Sequence, residues 1–308
     1  MRITNNYIQR SALGHLQTNM QALSEALQHA STGKRILQAS DDPAGTSMAM
    51  RTRSSLRALD QYQANVDDAK SKAAMEESVL DQLTDLLTRA KQLAISQGGS
   101  TASDETRAAT KEEVDQLLQQ TVTLGNTRFG DQYLFGGQYG DTPPFDPDQT
   151  SVAGSYYISL DPDDNTQVRL PSDAPETAIA EGQTLTAVHT GAEVFVDSGV
   201  LSSLQKLSEA LAAGKTATDV QAALGEVDDA FDEVQTVLSE TGARTDRLDV
   251  ASSNLSALNA NLTAFQSQVE GVDLEKAVTE LVTRQTAYQA AMLATSKVMG
   301  LTLADYLR

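Results

Sequence analysis

Several groupings in this 308-residue chain have residue types and spacings that chemistry could use. Asp41-Asp42 stands ahead of Pro43, and paired carboxylates can share a proton as an acid/base couple. Gly125-Asn126-Thr127-Arg128-Phe129-Gly130 has the glycine spacing of a phosphate-cradling loop. The Lys-Ser/Thr that would hold phosphate and magnesium does not follow it. Asp161, Asp163 and Asn165 sit at calcium-loop offsets. Thr166 takes the glycine position, however, and Ser172 the place of the bidentate glutamate. The histidines are His15, His29 and His189. His15 and His29 lie fourteen residues apart on one helical stretch, too far to share a metal. Cysteine is absent, which removes disulfides, thiolate ligands and thiol nucleophiles. Each grouping has a simpler reading. Asp41-Asp42 before proline is a helix start, with carboxylate on free N–H groups and proline at the first helical position. The 161–165 segment is an acidic hairpin tip. No catalytic set, cofactor site or metal site is expected, and the chain is read as a non-enzyme.

The charge balance narrows the partners. There are 42 acidic and 23 basic residues, for a net charge of −19. A duplex nucleic-acid binder needs a basic stripe, and anionic membrane surfaces attract basic ones, so neither is an expected partner. No run of 18 apolar residues could span a bilayer. The opening Met1-Arg2-Ile3-Thr4-Asn5-Asn6 has no apolar core, so no cleaved secretory signal is expected. One basic concentration stands out: Lys34, Arg35, Arg51, Arg53 and Arg57. It reads either as a solvated face or as pairing with acidic neighbours on other subunits.

The elements that carry these residues are mostly long helices. Tryptophan is absent and aromatics are 5% of the chain, too few for one thick core. Over 8–30, Leu16, Met20, Leu23, Leu27 and Ala30 step by four and three, the seam of a heptad. Gly33 is its C-terminal cap. After Pro43 the same alternation continues through Leu59, Tyr62, Val66, Ala69, Ala73, Glu76, Leu80, Leu83, Leu87, Ala90 and Ala94, with Glu76 polar among apolar neighbours. Ser103-Asp104-Glu105 opens a further helix bearing Val114, Leu117, Leu118, Thr121 and Leu124. The character changes over 141–199, which holds eleven acidic residues, one basic residue and six of the seven prolines. Segments 155–160 and 166–170 read as a hairpin; 185–188 and 193–196 read as two more strands. Helix returns near Ser198. From Val220 a long heptad runs through Leu224, Val227, Phe231, Val234, Leu238, Thr241, Thr245, Leu248, Ser252, Leu255, Leu262 and Val269. Asp273 caps a last helix carrying Leu274, Val278, Leu281, Gln285, Tyr288, Met292, Thr295 and Met299.

The plan is nearly palindromic: short helix, long helix, β insert, long helix, short helix. The fold class is therefore mainly α with a small β-rich insert, a long antiparallel coiled-coil bundle. The terminal helices can pair only across almost the whole chain, a costly closure, so they are expected to be disordered in the monomer. Five segments follow. Residues 1–43 form an N-terminal assembly helix that pairs with 271–308, and 44–140 form the first half of a helical rod. Residues 141–197 are a β-rich outer insert that both heptad pairs can close without. Residues 198–270 are the second half of the rod, and 271–308 the C-terminal assembly helix.

The ends resemble the flagellin superfamily. Thr32-Gly33-Lys34-Arg35-Ile36, then Ala39-Ser40-Asp41-Asp42-Pro43-Ala44-Gly45, is similar to the family's N-terminal signature. Gln285-Thr286-Ala287-Tyr288-Gln289-Ala290-Ala291 is similar to its C-terminal one. Within the superfamily, Met1-Arg2-Ile3-Thr4, Gly130-Asp131-Gln132-Tyr133-Leu134-Phe135-Gly136-Gly137 and the ending Leu303-Ala304-Asp305-Tyr306-Leu307 resemble the hook-associated protein 3 branch, the hook–filament junction. Filament flagellins usually carry lysine before the paired aspartates and alanine after them; here Ser40 and Pro43 stand there. Filament flagellin and a coiled-coil type III secreted effector are the alternatives.

The resemblance implies a structural subunit that is exported unfolded, without a cleaved signal, to the extracellular flagellum. It would polymerise there through its terminal helices. The implied partners are neighbouring copies, the adjacent hook-associated protein and flagellin, with an export chaperone on the C-terminal helix. The self-assembly positions would be Leu16, Met20, Leu23, Leu27, Leu274, Val278, Leu281, Tyr288 and Met292. The signature positions are Gly33, Lys34, Arg35, Ser40, Asp41, Asp42, Pro43, Gln285, Tyr288 and Gln289.

Overall fold

The computed structural model describes residues 2–98, 103–138, 140–141, 143–145 and 174–306. Its helices are α1 (Arg2–Thr32), α2 (Pro43–Gln97), α3 (Asp104–Gly125), α4 (Val200–Ala210), α5 (Ala217–Glu270) and α6 (Leu274–Tyr306). Two small antiparallel pairs accompany them: β1 (Arg128–Phe129) with β2 (Gln132–Tyr133), and β3 (Glu176–Ala180) with β4 (Gln183–Thr186). The mainly helical fold with a small β element is as the heptad spacing predicts. Among the described residues no helix is long and apolar enough to cross a membrane.

The chain divides into two compact units, Met1–Ala58 with Ala257–Arg308, and Leu59–Ser256. The second holds the core. On α2, Val66, Ala69, Ala73, Leu80, Leu83, Leu87, Ala90 and Ala94 are buried at the heptad positions expected of them. On α5, Val220, Val227, Val234, Thr241, Leu248 and Leu255 are buried at strict seven-residue intervals. The pairing is antiparallel: Gln63 bonds Ser252, Lys70 pairs with Asp249, Thr84 with Gln235 and Lys91 with Asp228. One number rises as the other falls. Helix α3 adds Val114 and Leu117, and α4 adds Leu201, Leu204 and Leu207 to the same apolar cluster. Ser103 caps α3, its Oγ accepting the Thr106 N–H at 3.2 Å.

The described part of the insert differs from the sequence reading. The hairpin expected at 155–160 and 166–170, with the calcium-spaced Asp161, Asp163 and Asn165, lies outside the described residues. Strand β4 overlaps the expected 185–188 run, but its partner is β3, across a tight turn at Gly182. The expected strand at 193–196 is instead a π-helical turn, Ala192–Asp197. Val194 and Phe195 are both buried, and a strand would send adjacent side chains to opposite faces. A helical turn lets both face the core. Nor does 141–197 stand wholly outside the core. Phe145, Val188, Val194 and Phe195 belong to the apolar cluster, and Phe195 packs edge-to-face on Phe135 and Phe145 at 5.2 and 5.3 Å. An acidic composition hid a few large apolar side chains that anchor the segment.

The first unit is built differently. Helices α1 and α6 pair side by side, and their direction is set where α1 ends against the start of α6, at the antiparallel bridge of Lys34 with Gly271. Over the described residues both terminal segments are helical, Arg2–Thr32 and Leu274–Tyr306. Little apolar burial holds them: the buried apolar residues of this unit, among those described, are Ala26, Ala49 and Ala277.

Candidate functional site

The α1–α2 joint is built almost entirely from the signature residues. Gly33 has φ +68°, the left-handed conformation that ends a helix, and its N–H bonds the His29 carbonyl at 3.0 Å. The chain then clasps the α5–α6 turn. Val272 N–H donates to the Gly33 carbonyl at 3.0 Å, and Arg35 N–H to the Glu270 carbonyl at 2.7 Å. The Arg35 guanidinium bonds both Asp42, at 3.0 Å, and the Val269 carbonyl, at 3.1 Å. Asp42 caps α2 by accepting the Gly45 N–H at 2.8 Å, with Pro43 at the first helical position. A Cβ on Gly45 would meet the Asp42 carboxylate at 2.5 Å and Ile36 at 2.7 Å, so any side chain there would push the capping carboxylate or Ile36 aside. Asp41 closes the preceding turn by accepting the Gln38 and Leu37 N–H groups at 2.8 and 3.0 Å. These N–H groups hold the Asp41 carboxyl below its ordinary range; for Asp42 the Gly45 N–H and then Arg35 do so. Both aspartates have structural roles. Ser40 is exposed.

Glu270 is the centre of the joint. It is buried, with Arg53 Nη2 at 2.6 Å on one oxygen and Lys34 Nζ at 3.6 Å on the other. Burial opposes its charge, but the Arg53 hydrogen bond and the charges of Arg53 and Lys34 outweigh this and hold its carboxyl below the ordinary range. Three members of the basic cluster, Lys34, Arg35 and Arg53, are thus paired inside the chain, and Arg57 donates to the Arg53 carbonyl. On the other arm Asp273 caps α6, accepting the Glu275 and Lys276 N–H groups at 3.0 and 3.2 Å.

The expected assembly positions split into two sets. Leu16, Leu23, Leu281 and Tyr288 are half-buried. Met20, Leu27, Leu274, Val278 and Met292 are exposed, Met20 by 60% and Leu274 by 57%. The heptad spacing puts Leu16, Met20, Leu23, Leu27 and Ala30 on one seam, yet Met20 and Leu27 are exposed, and the covered stripe runs through Leu16, Leu23, Ala26 and Ala30. Two short stripes, one inward and one outward, account for the α1 pattern. Gln285 and Gln289 are exposed on α6. Met299 lies beyond the described side chains. Leu13, Val282 and Leu293, which the heptad reading passed over, are exposed too. Of the sixteen large apolar side chains exposed among the described residues, thirteen belong to this unit.

A second polar constellation, in the larger unit, escaped the sequence reading. Glu76 and His189 are buried; Glu76 Oε1 accepts the His189 backbone N–H at 3.0 Å and lies 2.8 Å from its Nδ1. His189 Nε2 is 3.1 Å from Glu240 Oε2. A signal was present. Glu76 interrupts the α2 seam and Thr241 the α5 seam, and an antiparallel pairing brings them to one level, where a polar partner is needed.

Two family descriptions match the chain. Residues 3–139 match the bacterial flagellin N-terminal helical region and 224–307 the bacterial flagellin C-terminal helical region. The flagellar hook-associated protein 3 of Escherichia coli is 28% identical over 89% of each chain. A flagellin of Bacillus subtilis is 27% identical over 96% of this chain and 95% of its own. Among solved structures, hook-associated protein-3 of Legionella pneumophila superposes with a TM-score of 0.59 at 14% identity, covering 71% of this chain and 98% of that one. FlgL of Bacillus cereus gives 0.56 at 23%, covering 70% and 99%. With helical regions matched at both ends, and with the signature residues building the joint between them, the chain belongs to the bacterial flagellin family.

Proposed function

We propose that this protein is a structural subunit of the bacterial flagellum that joins the hook, through the preceding junction protein, to the filament. It polymerises through its terminal helices after type III export. One observation carries the reading. The unit made by the chain ends buries only alanines among its described apolar residues, while thirteen large apolar side chains face outward. Such a surface is suited to burial against other chains. Neighbouring copies would cover it in the assembled ring, and flagellin and the adjacent hook-associated protein would cover its two ends. Before assembly, the outward face of α6 would suit an export chaperone. The segment 141–197 would vary between relatives.

Filament flagellin is the second reading, favoured by the near-equal identity to flagellin of Bacillus subtilis. One deletion separates the two. A junction subunit's loss leaves hooks on the cell and intact filament protein in the medium. Loss of the filament protein itself leaves hooks and no such protein in the medium.

A further inference from the structure

The imidazole of His189 is 4% exposed and has a carboxylate at each nitrogen: Glu76 of α2 at Nδ1 and Glu240 of α5 at Nε2. A neutral imidazole has one N–H and one lone pair, and a carboxylate can only accept. In either neutral tautomer a lone pair therefore faces a carboxylate. Only the imidazolium donates to both. We infer that His189 is a proton-operated latch, which when charged fastens the segment returning from β4 to both long helices and when neutral releases one of them.

The stakes of the latch follow from its surroundings. Glu76 is fully buried, and its Oε2 has no hydrogen-bond partner among the described residues. It already holds the His189 backbone N–H, so the single N–H of a neutral ring stays at Nδ1 with it, and Glu240 is the contact that deprotonation releases. The other charged groups around the ring are few. Arg244 of α5 opposes the ring's charge, and Lys72 of α2 lines the same 230 Å³ cavity as His189. Glu193 of the π-helical turn is occupied by the Thr190 N–H at 2.8 Å. Burial would push the His189 imidazole down; the hydrogen bond and charge of Glu76 and the hydrogen bond of Glu240 outweigh it and raise it above its ordinary value.

The direction follows. The stabilisation is complete below the ordinary histidine value, about 6.5, and is lost as pH rises through the higher folded-state value. The test is hydrogen exchange of the 185–195 amides in the full-length protein at about pH 6 and about pH 8.5, corrected for the intrinsic rates, with wild type and Glu240→Gln. Glu240 has a side chain 58% exposed, so the variant should fold. Its carboxamide can donate to a neutral Nε2, which satisfies both nitrogens without a proton. Wild type should lose protection several-fold at the higher pH, while Glu240→Gln should hold its protection at both. Equal protection of wild type at the two pH values would overturn the latch. So would a Glu240→Gln protein that keeps the whole drop.

Discussion

Arg53 and Glu270, 217 residues apart, meet through a 2.6 Å hydrogen bond between Nη2 and Oε1. Arg53 lies about three turns into α2, and Glu270 is the last residue of α5. The pair, with Lys34, ties the two joints of the terminal unit around one buried carboxylate. The unit has few large apolar contacts to hold it, so this polar clasp carries more of its order than such a pair would in a thick core.

Removing the arginine should therefore loosen the terminal unit selectively. Arg53→Ala takes a charged donor from a buried carboxylate, a loss of about 1.5–3 kcal/mol for a fully shielded bond. Exposure of the arginine brings the expectation to about 1 kcal/mol. Faster exchange at the start of α6, with the 220–238 amides unchanged, is the expected result; uniform loosening of both units would contradict it.

The same clasp should yield to acid. The folded Glu270 carboxyl lies below its ordinary value. Its stabilisation is present above the unfolded value, about 4.3, and is lost as pH falls through the folded one. The terminal unit should thus lose protection below about pH 4. Glu270→Gln should flatten that dependence, at the cost of lower protection at neutral pH.

Order at the chain ends should lag behind the core. Amides of 16–30 and 281–299 in the soluble monomer should exchange much faster than those of 80–94 and 220–238. The first group belongs to helices held by half-buried leucines and alanines, the second to a packed seam. Protection of the ends equal to that of the seam would refute this.

Outward and inward positions of α6 should behave differently. Val282 is 56% exposed, so Val282→Asp should leave the melting temperature of the monomer within the range of surface changes, about 0.5 kcal/mol. It should nevertheless fail to retain filaments on hooks. Leu281 is half-buried beside it, so Leu281→Asp should also loosen α1 against α6. If Val282→Asp still retains filaments, the outward face is not the joint.

The ends of the insert should prove structural. Phe195 is fully buried between Phe135 and Phe145, and Phe195→Ala should destabilise the larger unit by about 3–5 kcal/mol. Excising 141–197 removes Phe145, Val188, Val194 and Phe195 together and should lower the melting temperature strongly. An unchanged transition would restore the view of the segment as wholly external.

The sequence by itself determined the long helices, their antiparallel order and their ends. Those features are local or strictly periodic. A buried residue every seven positions from Val220 to Leu255 writes the α5 seam directly, and Gly33, Asp42 before Pro43, Ser103 and Asp273 cap their helices through neighbouring backbone groups. Only the tertiary structure decided what depends on distant partners. In α1, Leu16 and Leu27 both fit the heptad spacing, and the packing of α6 chose Leu16 for the inside and left Leu27 out. Val194 and Phe195 are strand-forming by type, but a core that takes both side chains on one side made them a helical turn. Glu76 looked like a flaw in an apolar seam. It became a ligand for His189 because the chain, 113 residues later, returns there with a donor.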